Sequence, residues 1–148
     1  MITQDQLSGM IADAKARHPF HFENERDEPL SEHHLADIER QRGIRFPETY
    51  RHHLMTEGAG DFAFGWVYSP DSCSKWSLWK AHHILCEKQP ELLPFSDNGC
   101  GDYYCFPIVE GACDDRVVWA DHEQDYALTQ DECDDFREFI VKLCLNPA

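Results

Sequence analysis

The sequence lacks long apolar runs. No stretch of its 148 residues approaches the ~20 consecutive apolar residues that a transmembrane helix needs. The first residues, MITQDQLSGMIADAKARH, have neither the basic start nor the continuous apolar segment of a signal peptide. We therefore expect no membrane partner and a cytoplasmic location.

Basic residues are also scarce. Lys and Arg number 13 against 28 Asp and Glu, which gives a formal charge of −15. Between positions 97 and 135, twelve acidic residues stand against one basic residue, Arg116. Nucleic-acid binding depends on contacts between basic side chains and phosphates. Direct nucleic-acid binding is thus disfavoured, and we expect one acidic face that meets a protein partner with a basic surface.

The usual sequence signatures of metal and catalytic sites are missing too. Zinc sites show paired, spaced ligands, but Cys100 and Cys105 have no second pair, and His122-Glu123 is followed by Tyr126 where a zinc-protease motif has its second His. Most other histidines are adjacent in sequence and so point to different faces: His33-His34, His52-His53 and His82-His83. No Gly-x-Ser-x-Gly or phosphate-binding loop occurs.

The number of cysteines also gives no sign of a metal or catalytic site. The seven cysteines are odd in number, and a domain of this size does not need disulfides, so we expect free, mostly buried thiols. The sequence therefore predicts no metal, no cofactor and no enzymatic activity. A zinc protein or a thiol enzyme stays open as the third alternative for function.

Helical periodicity and caps predict three helices in the first part of the chain. Thr3 and Gln6 form a capping box, Ser31 is a second N-cap, and Gly43 can adopt the left-handed conformation that ends a helix. Pro47 is expected as the first residue of the third helix. The first helix is predicted to begin at its cap Thr3 and to end before His18, the second to run from Ser31 to Gly43, and the third from Pro47 to Gly58.

After these helices, the spacing of the apolar residues changes from the helical period to a period of two. In FAFGWVY, the aromatic residues alternate with small ones, which predicts one strand with Phe62, Phe64, Trp66 and Tyr68 on one face. ELLPF and DYYCFPIV, joined by SDNGCG, predict a hairpin with Gly99 and Gly101 at permissive turn positions. RVVWAD predicts a further strand, and residues 69–91 give no firm assignment.

The chain closes with an amphipathic segment. Thr129 and Glu132 form a possible capping box before the apolar residues Phe136, Phe139, Ile140 and Leu143. Helices, then antiparallel strands, then a helix are typical of the α+β class. We therefore predict a single domain over residues 1–148, with a mostly antiparallel sheet flanked by amino-terminal helices and a carboxy-terminal helix.

Four of these segments, in this order, resemble a known family. They are LSEHHLADIERQRGIRFPETYRHHLMTEGAGDF, LLPFSDNGCGDYYCF, VVWADHE and FREFI. Together they are similar to the SUKH superfamily, in the branch of yeast cell-wall-assembly regulators and their bacterial relatives, from about Leu30 to Leu143. Cys100 departs from the pattern, since a glycine is common there.

The resemblance implies an α+β fold and a binding role without catalysis. Bacterial members of the family often serve as immunity proteins that neutralise polymorphic secreted toxins by direct contact. The leading hypothesis is an immunity protein whose partner is a basic toxin domain, such as a nuclease or a deaminase. The alternative is a regulatory scaffold domain of the yeast type, which acts within the cell's own pathway.

Residues that suit an acidic contact surface lie in the hairpin loop and after the last strand. We expect aromatic anchors in the unassigned segment, although core packing explains those tryptophans equally well. Trp66 and Trp119, on predicted strands, are expected in the core. The predicted contact residues are Asp97, Asn98, Asp102, Asp121, Glu123, Trp76 and Trp79.

Overall fold

Three helices form the amino-terminal part of the protein, and their ends lie where the caps place them. The computed structural model describes residues 1–129 and 133–145. The Thr3–Gln6 capping box makes both of its hydrogen bonds, the Ser31 hydroxyl accepts from the N–H of His34 at 3.1 Å, and Gly43 has a φ of 66°. The helices are α1 (Gln4–Arg17), α2 (Glu32–Arg42) and α3 (Glu48–Thr56), with a short 3₁₀ helix at Pro19–Phe22.

Pro47 differs slightly from its predicted place. It is the N-cap of α3 and not the first helical residue, so the helix begins one residue later than expected. This shift of one residue does not change the packing of the helix, because Tyr50 and Leu54 are fully buried as the helical spacing predicts.

The single aromatic strand that the sequence predicts is instead a small hairpin, with β1 at Gly60–Phe62 and β2 at Gly65–Val67. Ala63 adopts a left-handed φ of 53° at the turn, so Phe64 is exposed whereas Phe62 is buried. A tertiary contact explains the break. The N–H of Phe64 donates to the carbonyl of Cys144, and a Cβ on Gly65 would lie 2.6 Å from the Cys144 sulfur.

A larger antiparallel sheet follows, in the order β3-β4-β6-β7, with β5 also paired to β4. The predicted hairpin joins β3 to β4, and Gly99 and Gly101 have φ of 76° and 102°. Asp97 pairs with Tyr103, Tyr103 with Ala120, and Ala120 with Leu128. The strands are β3 (Leu92–Asp97), β4 (Tyr103–Val109), β5 (Ala112–Cys113), β6 (Val118–Asp121) and β7 (Ala127–Thr129), and a 3₁₀ helix at His122–Gln124 links the last two.

The unassigned segment 69–91 contains one helix, α4 (Leu78–Leu85), capped by Ser77. At the carboxy terminus, α5 (Phe136–Phe139) continues as a π-helix over Ile140–Leu145. The predicted cap at Thr129 is wrong, because Thr129 belongs to β7 and Glu132 lies outside the described residues. Asp135 is the actual N-cap, and its carboxylate accepts from the N–H of Glu138 at 2.9 Å.

An aromatic cluster joins the helices to the sheet. The ring of Phe95 on β3 stacks on Phe106 at 4.3 Å and meets Phe136 at 5.3 Å and Phe139 at 4.9 Å. Tyr50 of α3 contacts the rings of Phe95, Phe106 and Phe136, and its hydroxyl donates to the carbonyl of Tyr68. The α+β class, with antiparallel sheets and flanking helices, is confirmed.

Within the described part of the chain, every helix is too short or too polar to cross a bilayer. All seven cysteines lie in this part and none forms a disulfide, as expected, although only Cys105, Cys133 and Cys144 are fully buried. Burial raises the pKa of the Cys113 thiol to about 12, with the charge of Glu39 adding to the rise, which keeps that thiol protonated at neutral pH.

Candidate functional site

Two loops lie side by side at one end of the larger sheet. The β3–β4 loop (residues 97–102) and the segment between β6 and β7 (residues 121–126) are neighbours because Tyr103 pairs with Ala120. We call these residues the loop pair. It carries five of the acidic residues, Asp97, Asp102, Asp121, Glu123 and Asp125. Five of the seven predicted contact residues, all except the two tryptophans, therefore come together here.

Asp97 anchors the first loop to the small hairpin. One of its carboxylate oxygens accepts from the N–H of Gly99 at 2.7 Å. The other accepts from the indole N–H of Trp66 at 3.1 Å and from the hydroxyl of Tyr68. Burial and the carboxylate of Asp97 raise the pKa of Tyr68, so that its hydroxyl stays protonated and donates. The loop is thereby tied to β2.

Asn98 closes the first loop on itself. Its side-chain oxygen accepts from the N–H groups of Cys100 at 2.9 Å and Asp102 at 3.2 Å. Its side-chain nitrogen donates to the carboxylate of Asp102 at 2.9 Å. Such side-chain to backbone bonds are the reason that Asn and Asp favour turns. Asn98 therefore shapes the loop from within.

Asp102 connects the two loops. Its carboxylate accepts from the backbone N–H of His122 at 2.9 Å and lies 2.5 Å from the imidazole Nδ1 of the same residue. Burial raises the pKa of Asp102, but the hydrogen bonds from His122 and Asn98 outweigh it and hold the pKa below its usual value. The same hydrogen bond to Asp102 raises the pKa of His122. The pair favours a carboxylate and an imidazolium.

The ionised pair should make stability depend on pH in a defined window. The contribution of His122 is complete below its ordinary pKa of about 6.5 and is lost as pH rises through its raised folded pKa. That of Asp102 is present above its ordinary pKa of about 3.9 and is lost as pH falls through its lowered one. We expect the difference in unfolding temperature between wild type and His122→Ala to be largest between about pH 4 and pH 6.5.

Thermal unfolding from pH 3 to 9 would measure this difference. His83→Ala is the control, since His83 is an exposed histidine whose side chain makes no hydrogen bond in the described residues. A pH-independent difference for His122→Ala would show that the imidazole is not charged in the folded protein.

Asp121 shapes the second loop, and Glu123 exposes its side chain on it. The Asp121 carboxylate caps the short 3₁₀ helix, accepting from the N–H of Glu123 at 2.9 Å and from the side-chain amide of Gln124 at 2.9 Å. The Glu123 side chain is exposed. Asp125 forms an ion pair with Lys88 at 3.2 Å. Glu123 is thus the most accessible carboxylate among the predicted contacts.

The loop pair also brings three possible metal ligands together. Asp102, Asp121 and His122 each place one ligand atom within 4.8 Å of the others. The cysteines and paired histidines considered in the sequence are not part of this group. However, the Asp102 oxygens already accept from His122 and Asn98, and both Asp121 oxygens accept from its own loop. Hydrogen bonds within the loop pair therefore already use the oxygens of both carboxylates.

The two predicted tryptophan contacts are placed elsewhere. Both are half-buried against the core, and only Trp79 lies in a helix, so they do not share a helical face. The Trp79 indole N–H donates to the carbonyl of Pro70 at 2.6 Å, and the guanidinium of Arg42 lies 3.9 Å from its ring. Trp76 lies close to Gly60, since a Cβ there would be 2.9 Å from the indole nitrogen. A contact role for these tryptophans stays a prediction.

The acidic residues do not form the one continuous face that the sequence suggests. Glu110, Asp114 and Asp115 lie at the opposite end of the sheet, beyond β4 and before β6. Asp135 lies there too, because it bridges to Arg116. Asp131 and Glu132 are outside the described residues. The expectation of a single face is therefore corrected to two groups, because antiparallel strands return the chain to each end in turn.

Sequence reasoning missed two residues of the site. Trp66 was expected in the core, yet its indole binds Asp97, and its ring lies 3.5 Å from a Cβ built on Gly99. His122 was considered only as part of a protease-like motif. No local pattern indicates either contact, because Trp66 and Asp97 are 31 residues apart and Asp102 and His122 are 20 apart.

Comparison with known families supports the resemblance. The model of the SMI1 / KNR4 family (SUKH-1) matches residues 29–142. This span agrees with the four segments quoted above, and the SUKH assignment is confirmed. No curated protein matches the sequence.

Proposed function

The chain belongs to the SMI1 / KNR4 family (SUKH-1), and from that membership we propose that it is an immunity protein. It binds and neutralises a cognate bacterial toxin domain with a basic surface, such as a nuclease or a deaminase, and performs no reaction itself. The loop pair is the contact surface. The observation that carries this proposal is the group of carboxylates at one end of the larger sheet, in two loops that hydrogen bonds hold together.

Three of the five carboxylates of the loop pair, those of Asp97, Asp121 and Glu123, form no ion pair within the described residues, whereas Asp102 pairs with His122 and Asp125 with Lys88. In that part of the chain Asp97 accepts only from neutral donors, namely the Trp66 indole, the Tyr68 hydroxyl and the Gly99 N–H. Neutral donors stabilise a carboxylate without cancelling its charge. A surface of this kind attracts basic groups and speeds encounter with a basic partner. The same basic groups on a nuclease would otherwise bind phosphates.

The hydrogen bonds within the loop pair also reduce the cost of binding. Asn98 fixes the first loop, Asp121 fixes the second, and Asp102 joins them. A surface that is ordered before association loses less conformational entropy when it binds. Trp66, half-buried beside Gly99, adds an aromatic group next to the acidic one. Aromatic residues are enriched at the energetic centres of interfaces.

Co-expression with the product of the neighbouring gene tests the function directly. We expect that product alone to be toxic to the producing cell and the two proteins together to be tolerated and to co-purify as a stable complex. A neighbour that is neither toxic nor bound would contradict the immunity role. It would favour the alternative, a regulatory scaffold domain with a partner from the cell's own pathway.

A charge reversal tests the surface. Glu123→Lys should weaken the complex by roughly tenfold, mainly through slower association, because it places a positive charge on the loop pair opposite a basic partner. Glu91→Lys is the matched control, with the same change in net charge on an exposed residue at the other end of β3. Association rates should also fall as ionic strength rises. Equal effects of both variants, or salt-independent association, would place the contact elsewhere.

A further inference from the structure

A group of exposed basic side chains lies where the end of α2 meets α4. Arg42 is the last residue of α2, and its guanidinium lies 3.9 Å from the centre of the ring of Trp79 in the first turn of α4. Lys80 follows Trp79 in the same helix, and His83 and Ile84 lie one turn further along it. Arg42, Lys80, His83 and Ile84 are exposed, and none of them belongs to the loop pair. We call these four residues the basic surface.

The two cations of the basic surface are not neutralised by acidic side chains. Among the described residues, the side chains of Arg42 and Lys80 form no ion pair and donate no hydrogen bond. Apart from Arg45, every other Lys and Arg in that part of the chain has such a partner. Acidic residues are abundant, since the chain has 28 Asp and Glu against 13 Lys and Arg. The basic surface therefore presents its positive charge to solvent.

Trp79 holds Arg42 in place without cancelling its charge. The indole N–H of Trp79 donates to the carbonyl of Pro70 at 2.6 Å, and the side chain packs against the core, so the position of the ring is fixed. A cation over an aromatic face is attracted to the ring and keeps its full charge. Burial, the charge of Arg42 and that of His83 lower the pKa of His82, which is therefore neutral at physiological pH. The permanent charge of this region comes from Arg42 and Lys80.

The number and placement of these charges select an occupant. Two cations attract an anionic group, but nucleic-acid binding depends on many phosphate contacts, and the net charge of −15 opposes a long polyanion. A second copy of the chain carries the same net charge and is repelled for the same reason. Ile84 is 52% exposed and lies four residues after Lys80, on the same side of α4. A short acidic protein segment that carries one apolar side chain matches both features.

We propose that the basic surface binds a short acidic segment of a protein partner. Carboxylates of the segment pair with Arg42 and Lys80, and an apolar side chain of the segment lies on Ile84. Trp79 is a positioning residue, because it orders Arg42 before the segment arrives and so reduces the entropy lost on binding. This partner is opposite in charge to the one proposed for the loop pair, and the inference does not rest on the immunity function.

Titration of the full chain with a capped peptide that has two glutamates on each side of a leucine, followed by two-dimensional NMR of the backbone amides, tests the proposal. The same peptide with glutamine in place of glutamate lacks the charge, and a short oligothymidylate offers phosphates instead. We expect saturable shifts at the end of α2 and in α4 with the glutamate peptide. The glutamine peptide should bind roughly tenfold more weakly, and the oligothymidylate should bind most weakly of the three.

A charge reversal connects the affinity to the basic surface. Lys80→Glu should weaken binding of the glutamate peptide by roughly tenfold, because it removes an attraction and adds a repulsion. Lys142→Glu is the matched control, with the same change in net charge on a residue of the carboxy-terminal π-helix. It should change the affinity by less than about twofold, since charges that are far apart are screened by salt.

Two substitutions of Trp79 test its positioning role. Trp79→Leu removes the aromatic face beside Arg42 and should weaken binding by about threefold. Trp79→Phe keeps an aromatic face and should retain most of the affinity, although it loses the hydrogen bond to Pro70. In an Arg42→Gln background, Trp79→Leu should have no further effect, because the cation that it positions is absent. Equal weakening by Trp79→Leu and Trp79→Phe would contradict the positioning role.

Several results would overturn the proposal. The first is the absence of saturable shifts with the glutamate peptide, or an equal affinity for the glutamine peptide. Equal effects of Lys80→Glu and Lys142→Glu would place the binding elsewhere. Tighter binding of the oligothymidylate would make this a nucleic-acid surface, and self-association in sedimentation experiments that Lys80→Glu abolishes would assign it to a second copy of the chain. Thermal unfolding of each variant confirms that the protein tested is folded.

Discussion

Replacement of Phe95 by alanine should lower the free energy of unfolding by about 3–5 kcal/mol, the cost expected for loss of a buried phenylalanine. The ring is fully buried and contacts Phe106, Phe136 and Phe139, so its removal leaves a cavity where the sheet meets the carboxy-terminal helix. In a protein of this size we expect the unfolding temperature to fall by about 10 °C. Chemical and thermal denaturation would measure both quantities.

Phe20→Ala is the control for this loss. Phe20 is 62% exposed, and its truncation should change the free energy of unfolding by less than about 1 kcal/mol. Phe95→Leu should give an intermediate value, because it keeps part of the buried apolar volume. Equal effects of Phe95→Ala and Phe20→Ala would contradict the central place of Phe95 in the core.

Gly58→Ala should be the second strongly destabilising change, at about 2–4 kcal/mol. Gly58 has a left-handed φ of 81°, and a Cβ there would lie 2.2 Å from the backbone oxygen of Asp27. The neighbouring bond from the N–H of Asp27 to the carbonyl of Ala59 would be strained as the two segments separate. Urea denaturation monitored by circular dichroism would give the change.

Gly9→Ala is the matched control. The substitution is the same, but its expected effect on stability has the opposite sign. Gly9 lies inside α1, and a Cβ there meets no atom within 4 Å in the described part of the protein. Alanine in a helix interior is better than glycine by about 0.5–1 kcal/mol, so this variant should be slightly more stable than wild type. If Gly58→Ala were equally harmless, the close approach to Asp27 would be wrong.

Local chemistry allowed several features to be predicted from sequence. Ser31 caps α2 because its hydroxyl reaches the next turn, and Gly43 ends it because glycine tolerates a left-handed φ. The Asp-Asn-Gly-Cys-Gly-Asp turn forms as expected, since the hydrogen bonds within the turn join residues at most four apart. Because these interactions join residues close together in the chain, the local sequence is enough to predict them.

Features that depend on distant contacts were not predictable. The cap of α5 moved from Thr129 to Asp135 because pairing of β7 with β6 takes Thr129 into the sheet. The aromatic run from Phe62 broke into a hairpin because Gly65 fits against Cys144, nearly 80 residues later.

The sequence by itself determined the α+β class, the caps of the first helices, the hairpin turn and the family. Tertiary structure alone decided that the acidic residues separate to two ends of the sheet and that Trp66 and not Trp76 lies beside the first loop. The physical reason is the sequence distance between the residues that interact. Caps and turns are satisfied by neighbours in the chain, whereas the charge distribution arises only when distant segments pack together.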